Sequence, residues 1–469
     1  MIKMVTVRKM MMAALGAACM GQAQVQIQSG SLPIPDRLSG SIATGQATSD
    51  TLSLTLLDAI QRGLKYNISV VDAGEDVRAA RSERLKALHD LMPTLYAKLN
   101  ATGQQVDLAA FGFSGFPGLP NVIGPFAVYD ARAYFSQNLL DVSARRAVRA
   151  RDQDIKASDL TAADMREQVV LAVTGLYLQA LAGDARITSA GAQVRTAEAL
   201  LKNAQDRKDA GTSPAIVVLR AQVQLQSLEQ RQIYYEGEEQ KDLLSLGRAI
   251  GLPAGQKIKL VDPGFSEPLP PMTLDEMLKN AYANRHDYQA AQASLRAAEL
   301  DKLSKHAEKY PTADLTANYG AIGTAPNNSH GTFAVAGELN IPIFQGGRVE
   351  ADELAADAVI KKRRAALDNL RGQIDNEVRT SLIDTQNSFR QVEVARSSIQ
   401  LARQQLEQSQ DRFRAGVTDN VEVVQAQEAV ATAEENLISS LFVFNVSRAA
   451  LVRAEGQAEQ YIVTYLKGK

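Results

Sequence analysis

A helical seam that occurs twice constrains this chain of 469 residues more than any other feature. In the second half, residues 392, 399, 406 and 413 are large and apolar and recur every seven positions, and small residues keep the same period between them (Val392, Ile399, Leu406, Phe413; Ala395, Ala402, Ser409). Moving back by 205 positions gives a matching seam that contains Ala190, Ala197 and Ala204. Large and small residues that alternate at spacings of three and four allow helices to approach closely. The sequence therefore predicts a tandem duplication built around two long helical hairpins.

Each predicted hairpin contains a long helix, a glycine turn and a shorter returning helix. The long helices, about 145–210 and 349–415, contain no proline and would each be ~100 Å long at 1.5 Å per residue. Gly211 and Gly416 follow them, at a position where the end of a helix favours a left-handed backbone. Ser213 and Thr418 are then expected to cap the returning helices at 214–251 and 419–455.

Another pair of related segments lies ahead of the long helices. Residues 55–93 align without a gap to residues 273–311 at a constant offset of 218 (273 minus 55). Both segments are rich in Ala, Leu and Arg. Each is predicted to be one uninterrupted helix of about 36 residues that ends before a proline, Pro93 or Pro311.

After each of these prolines the apolar period changes from 3.6 to 2. Odd-numbered residues are apolar in 94–103, for example Leu95 and Leu99, and the residues between them are polar. The same alternation in the following segments predicts two hairpins, at 94–139 and 312–343, whose loops lie at 111–126 and 323–331. Strands of about ten residues suit a tilted crossing of a bilayer. A half-buried hairpin of a soluble protein would show the same alternation.

The number of strands bears on oligomeric state. Four strands cannot close a barrel, and open sheet edges are not tolerated in lipid. Two copies would give eight strands and an interior filled by side chains, whereas three would give twelve strands and leave a passage. Long helical walls that continue from the strands favour a passage, and therefore a trimer. The predicted fold is mainly α with transmembrane β: an α-barrel of duplicated hairpins joined to a shared twelve-stranded β-barrel.

The N-terminal segment, residues 1–23, is predicted to be a secretory signal peptide. Lys3, Arg8 and Lys9 form its basic end, an apolar run follows at 10–20, and small residues precede the cleavage site after position 23. The alternative is a lipoprotein signal with Cys19 acylated, although Leu15 lies one position too far from this cysteine for a good match. Either interpretation predicts export.

The remaining boundaries follow from composition and from the repeat. Residues 24–50 are rich in Ser, Gly, Gln and Thr and are expected to be a flexible arm. The first repeat is assigned to 51–260 and the second to 273–455, with a proline-rich linker at 261–272. Residues 456–469 are left as a C-terminal tail.

The composition argues against several classes of function. The 51 basic and 53 acidic residues are nearly balanced, so the chain lacks the charge signature of nucleic-acid binding. No stretch is expected to match the roughly 20 apolar residues of a spanning helix. The four histidines are scattered, and neither HExxH nor a phosphate-binding glycine loop occurs. We therefore expect no enzyme activity, no cofactor and no metal site.

Three segments carry a family resemblance: RFRAGVTDNVEVVQAQEAVATAEENL at 412–437, its weaker echo RKDAGTSPAIVVLRAQVQLQSLEQ at 207–230, and NIPIFQGGRVEA at 340–351. With the duplicated plan, they make the chain resemble the TolC family of outer-membrane efflux proteins over about residues 51–455. The resemblance implies a homotrimer in the outer membrane that extends into the periplasm. It also implies docking to a periplasmic adaptor and to an inner-membrane pump of the RND, ABC or MFS type. The implied function is a channel of efflux or type I secretion that conducts substrates to the exterior.

The same resemblance implies roles for residues at the two turns. Glu422 matches an acidic residue that rings the closed pore, and Asp419, Gln425 and Phe413 are placed with it at the constriction. The turn residues are assigned to adaptor docking (Gly211, Ser213, Gly416, Thr418). Three positions depart from the pattern: Gln425 is neutral where a second acid often occurs, Val217 replaces an acidic gating partner, and Phe413 lacks a tyrosine hydroxyl. Closure of the channel by packing is the expectation that remains.

Two alternatives are kept. A soluble periplasmic coiled-coil scaffold would share the heptads but not the alternating strands with an export signal. Within the family, the exported substrate could be a polypeptide or a metal ion instead of a small molecule.

Overall fold

The computed structural model describes residues 35–112, 120–261, 273–418 and 420–460. The order of its helices and strands repeats once along the chain, as the predicted duplication requires. The helices are α1 (Asp36–Ser39), α2 (Leu56–Tyr66), α3 (Ile68–His89), α4 (Val142–Asp209), α5 (Ala215–Ala249), α6 (Leu274–Asn284), α7 (His286–Ala307), α8 (Arg348–Arg414) and α9 (Asn420–Ala454). The strands are β1 (Leu52–Leu54), β2 (Thr94–Asp107), β3 (Val122–Leu140), β4 (Ile258–Leu260), β5 (Thr312–Gly323) and β6 (Ser329–Asn340). The expectations for the signal peptide, Cys19, the linker from 262 and Asp419 fall outside the described residues.

The two long helices are α4 and α8, with 68 and 67 residues, so each is ~100 Å long as predicted. Helix α4 packs against α3, α5, α7 and α9. Helix α8 packs against α7 and α9. The returning helices α5 and α9 have 35 residues each. Helix α4 packs against both α5 and the shorter α3, and α8 packs against both α9 and the shorter α7. Helix α9 thus contacts both long helices and joins the two hairpins.

The heptad seam is the contact between these helices. In α8 its small and large members are buried, including Val392, Ile399 and Ala402. Ile399 and Ala402 pack with Val430 and Ala433 of α9. The predicted seam is confirmed.

The segment at 55–93 is not one helix, which corrects the prediction. It breaks at Asn67, whose backbone leaves the helical region (φ −65°, ψ 132°). The buried Asn67 side chain accepts a hydrogen bond from the Ser69 amide (3.0 Å) and donates to the carbonyls of Leu38 (2.8 Å) and Ala249 (3.3 Å). Asn67 caps α3 and ties together three distant parts of the chain, which offsets the lost helical hydrogen bonds.

The second copy breaks at the matching residue, Arg285, 218 positions later (φ −63°, ψ 119°). Its guanidinium is buried and forms ion pairs with Asp287 (2.7 Å) and Glu377 (2.5 Å). The backbone of Gly456 passes so close that an added Cβ would lie 2.7 Å from the Arg285 nitrogen. Both copies therefore break the helix at the same position, but hydrogen bonds of Asn67 stabilise the first break and ion pairs of Arg285 stabilise the second.

The four longer strands form one antiparallel sheet in the order β2-β3-β5-β6. Both hairpins occur where they were predicted, with two corrections. The first loop is shorter than 111–126 because Val122 and Ile123 pair with β2 beyond a register shift. The second loop is shorter than 323–331 because Ser329 already pairs with Gly323, and the hairpin ends at Asn340, before the predicted limit of 343.

The register places the odd-numbered residues of all four strands on one face. Leu99 lies opposite Ala131, Ala133 opposite Tyr319, and Tyr319 opposite Phe333. Most large side chains on this face are exposed in the single chain, with Leu99 at 84% and Phe333 at 77%. The even-numbered face carries most of the polar residues. Each strand thus has an apolar and a polar side, as the alternation predicts.

Residues 35–50 are not a free arm, which corrects a second prediction. Leu38 is buried with α2 and α4, and the Ile42 amide donates to the Tyr66 carbonyl (2.9 Å). The Thr48 amide donates to the Gln256 side chain (2.9 Å), and β1 then pairs in parallel with β4. Because backbone amides of this segment find acceptors in distant parts of the chain, the segment is ordered despite its composition.

Stretches of α4 and α9 are apolar and long enough to span a membrane by composition, contrary to the expectation that none exists. In α4, 67% of that stretch is buried by neighbouring helices. It includes Val169, Val173 and Tyr177, which form a core with α2 and the end of α5. The apolar composition of α4 therefore serves packing within the protein.

Candidate functional site

The two hairpin tips end their long helices in the same way. Gly211 and Gly416 have left-handed backbones, with φ of +73° and +74°. In the first tip, the Thr212 amide donates to the Arg207 carbonyl (2.9 Å), and in the second the Val417 amide donates to the Arg412 carbonyl (3.0 Å). These are the hydrogen bonds of a Schellman turn. The prediction of glycine at both helix ends is confirmed.

The predicted N-cap of the first returning helix is wrong by one residue. Helix α5 begins at Ala215, so that Pro214, which forms no side-chain cap, occupies the N-cap position in place of Ser213. Helix α9 begins at Asn420, so Thr418 lies two positions before its first residue. The Thr418 hydroxyl donates instead to the Glu422 carboxylate.

The Glu422 carboxylate is held across the turn between α8 and α9. It accepts hydrogen bonds from the hydroxyls of Thr418 and Ser409, the latter at 3.3 Å, and its Oε1 lies 3.8 Å from Arg412 Nε. About a third of the side chain (35%) remains exposed. Gln425, one turn further along α9, is exposed. The second tip thus presents one acidic group with a fixed position.

Phe413 lies between the two hairpins and is buried. The Arg207 guanidinium of the first hairpin lies 4.6 Å from the centre of the Phe413 ring. It also donates to the carbonyls of Phe413 (3.3 Å) and Arg414 (3.4 Å), at the C-terminal end of α8. Phe413 therefore belongs to a contact inside the chain, and this contact joins the two tips.

Sequence reasoning missed Arg207, although the duplication contains the signal. Arg207 matches Arg412 at the offset of 205 (412 minus 207). Arg412 lies beside Glu422, but the residue at the corresponding first-copy position is Val217. Without a carboxylate at that position of its own hairpin, Arg207 reaches the second hairpin.

Further from the tips, acidic residues of α9 contact three other helices. Glu434 accepts hydrogen bonds from Ser189 of α4 and from Arg403 of α8 (3.0 Å). Glu435 pairs with Arg186 of α4 (3.0 Å), and Glu428 accepts from Gln224 of α5 (2.7 Å). The hairpins are thus joined by polar contacts as well as by the seam.

An apolar groove of about 360 Å³ lies between α5 and α9 beside the tips. Ile216, Leu219, Val223 and Val421 line it, and the first three are more than half exposed. Val417, in the second turn, is 70% exposed. Both tips therefore present apolar as well as polar groups.

Within the described ranges, no three His, Cys, Asp or Glu side chains are grouped as metal ligands. His306 lies beside Glu353 (3.0 Å), at the other end of α8 from the tips. The tip geometry is that of a turn with a fixed acidic group and an apolar surface.

Comparison with known proteins agrees with this architecture. Residues 59–252 and 277–463 match the family model of the outer membrane efflux protein. The chain is 25% identical over 392 residues to the pyoverdine export outer membrane protein OpmQ of Pseudomonas aeruginosa, covering 80% of this chain and 79% of that protein. It is 24% identical over 402 residues to the toluene efflux pump outer membrane protein TtgF of Pseudomonas putida, covering 81% and 79%.

The fold is shared with solved outer-membrane channels. The structure of OprN superimposes with a TM-score of 0.73 at 18% identity, and covers 90% of this chain and 97% of that one. The family model spans both repeats. The chain therefore belongs to the outer membrane efflux protein family, as an outer-membrane channel for efflux or secretion that extends into the periplasm.

Proposed function

We propose that three copies of this chain form one conduit from the periplasm to the exterior. The observation that carries the proposal is the pair of open edges of the sheet, β2 with 14 residues and β6 with 12. In lipid each unpaired backbone group costs several kcal/mol, so these edges must pair. Because β2 and β6 are antiparallel, β6 of one copy can continue the ladder with β2 of the next. Twelve strands then close around a passage.

The helical edges support the same assembly. Helix α8 exposes Leu354, Ile383 and Leu401 at one proposed edge, and α5 exposes Ile233 and Leu244 at the other. Burying a leucine side chain contributes about 1.5–3 kcal/mol. Because the two edges are different surfaces, their contact is head-to-tail, and such contacts form rings when the rotation closes.

The second hairpin tip supplies the constriction in this proposal. Glu422 of each copy would face the threefold axis, with Asp419 and Gln425 beside it, and three carboxylates would favour cations. The buried position of Phe413 against Arg207 supports a different role in this proposal from the predicted one. Phe413 positions the second hairpin and does not line the pore.

The tips are also the proposed docking surface for a periplasmic adaptor, which links the channel to an inner-membrane pump of the RND, ABC or MFS type. Gly211, Ser213, Gly416 and Thr418 lie in the turns, and the exposed Val417 and the groove between α5 and α9 add apolar surface next to them. A partner with a complementary helical tip would cover this surface. Small organic molecules are the proposed substrate class, with polypeptides and metal ions as the alternatives.

The experiment is a planar-bilayer recording of the purified protein in a KCl gradient. Discrete current steps with cation preference are expected for the natural chain, and Glu422→Gln should reduce that preference. Glu393→Gln, at an exposed position of α8, is the matched control and should leave it unchanged. Absence of current steps would contradict the channel. Unchanged selectivity in Glu422→Gln would remove this residue from the constriction.

A further inference from the structure

Two neighbouring rows of cross-strand pairs on the polar face of the sheet bring together residues that have no role in the proposed conduit. The register places Tyr96 opposite Tyr134, and Lys98 opposite Arg132. The first row continues to Asn318 in β5 and the second to Gly320. Residues two apart on a strand share a face, so both rows point to the same side. This side lies opposite the apolar face and would line the barrel.

The aromatic pair is a stacking surface. The rings of Tyr96 and Tyr134 lie 5.2 Å apart and are nearly parallel (12°). The Arg132 guanidinium lies 5.9 Å from the centre of the Tyr134 ring. Tyr96 is 56% exposed, so one face of the stack is open to a further planar group.

Lys98 gives these rows a net positive charge, because Lys98 and Arg132 are two cations beside the single carboxylate of Asp130, which also interacts electrostatically with Lys98. The Asp130 carboxylate accepts two hydrogen bonds from the Arg132 guanidinium, one of them at 2.6 Å, so these two charges largely neutralise each other. Lys98 is exposed, and within the described part of the chain it has no ion pair or hydrogen bond. An unpaired ammonium next to a stacking surface attracts an anion that carries a planar ring.

Other charges on this face lie further away. Asp314 and Glu338 are directly opposite each other near the periplasmic end of the sheet. They are three rows below the Lys98 row, about 20 Å along the strands at ~3.4 Å per residue. That separation exceeds the Debye length of ~8 Å at physiological salt, so these acids do not cancel the charge of Lys98.

The glycine at position 320 leaves room for the backbone and side chain of Arg132 on the neighbouring strand. A Cβ at Gly320 would lie 2.1 Å from the Ala131 carbonyl oxygen and 2.5 Å from Arg132 Cγ, so no side chain fits there.

We propose that Lys98, Tyr96 and Tyr134, with Arg132 beside them, form a binding site for anionic aromatic solutes inside the β-barrel. The ammonium contacts the anionic group, and the exposed Tyr96 ring stacks on the solute. The site rests on the proposed trimer, in which it occurs three times around the passage. Among substrates that have already passed the tips, this site would make the barrel favour those that are anionic and aromatic.

The test is block of the single-trimer current by 2-naphthalenesulfonate added on the barrel side, with neutral 2-naphthol as the matched probe. Lys98→Gln is expected to raise the half-blocking concentration of the sulfonate about tenfold and to leave 2-naphthol unchanged, because only a charged contact is lost. Tyr96→Ala should weaken block by both probes. Lys361→Gln, at an exposed position of α8 outside the sheet, is the control and should change neither.

The outcomes separate this site from the channel itself. Equal block of the natural chain and Lys98→Gln by the sulfonate would overturn the site, as would a conducting channel that neither probe blocks. In both cases the conduit proposal would stand. A protein that forms no channel would overturn the conduit, and the site with it.

Discussion

Replacing Arg207 by alanine is expected to loosen the hairpin tips and to raise the open probability of the channel. The guanidinium joins the end of α4 to the end of α8 through the Phe413 ring and two backbone carbonyls. Opening the tips by moving one hairpin relative to the other would break these contacts. Their loss in the closed state therefore shifts the equilibrium towards the open state.

The magnitude follows from the contacts. A cation over a partly desolvated aromatic ring contributes about 1 kcal/mol. Two long hydrogen bonds, at 3.3 and 3.4 Å, contribute about 0.5 kcal/mol each. A positive charge at the C-terminal end of a long helix adds about 0.5 kcal/mol. The sum of roughly 2–3 kcal/mol per chain corresponds to a change of roughly 30- to 150-fold in the closed-to-open ratio of one protomer's tips.

Single-channel recording measures this ratio directly. Arg195→Ala is the matched control, since Arg195 lines the cavity beside Phe413 and has no hydrogen bond or ion pair to the described residues. Arg207→Lys keeps the charge but loses the planar group, so it should have an intermediate effect. An open probability of Arg207→Ala equal to that of Arg195→Ala would refute the role of Arg207.

Three further predictions concern stability and docking. Asn67→Ala leaves the carbonyls of Leu38 and Ala249 without this donor and removes the cap of α3, so it should lower the free energy of unfolding by about 2–4 kcal/mol. Thermal unfolding measures this loss, and the control Asn203→Ala, at an exposed site, should show none. Burial raises the pKa of Glu167, so the folded state binds its proton more tightly than the unfolded state and stability falls as pH rises through the folded pKa. Relative to the natural chain, the melting temperature of Glu167→Gln should therefore rise with pH above about 4.5, and a constant difference would contradict this. At the second tip, Gly416→Glu should reduce cross-linking to the adaptor, whereas Gly416→Asn should retain it because asparagine tolerates the left-handed backbone. Equal cross-linking of the two variants would argue against docking at this tip.

The features that depend on local periodicity could be predicted from the sequence. The heptad seam gave α4 and α8 nearly to the residue, and the alternation at 94–103 gave the apolar face that contains Leu99. Both patterns repeat, so each half of the chain tests the other. The glycine turns followed because Gly211 and Gly416 satisfy a backbone requirement that few other residues meet.

The features that depend on distant contacts could not be predicted. Asn67 interrupts a helical pattern only because Leu38 and Ala249, far away in the sequence, supply carbonyls for its amide. The segment at 35–50 has the composition of a linker, and its order comes from partners such as Gln256. Arg207 is one of many arginines until the position of α8 is known.

The native mass of the detergent-extracted protein from the outer-membrane fraction, measured before and after boiling, tests the central claim most directly. Pairing of β2 with β6 between copies predicts a species of three chains that separates into single chains only on heating. A monomer or dimer recovered from the soluble periplasm would contradict the shared barrel, and with it the conduit.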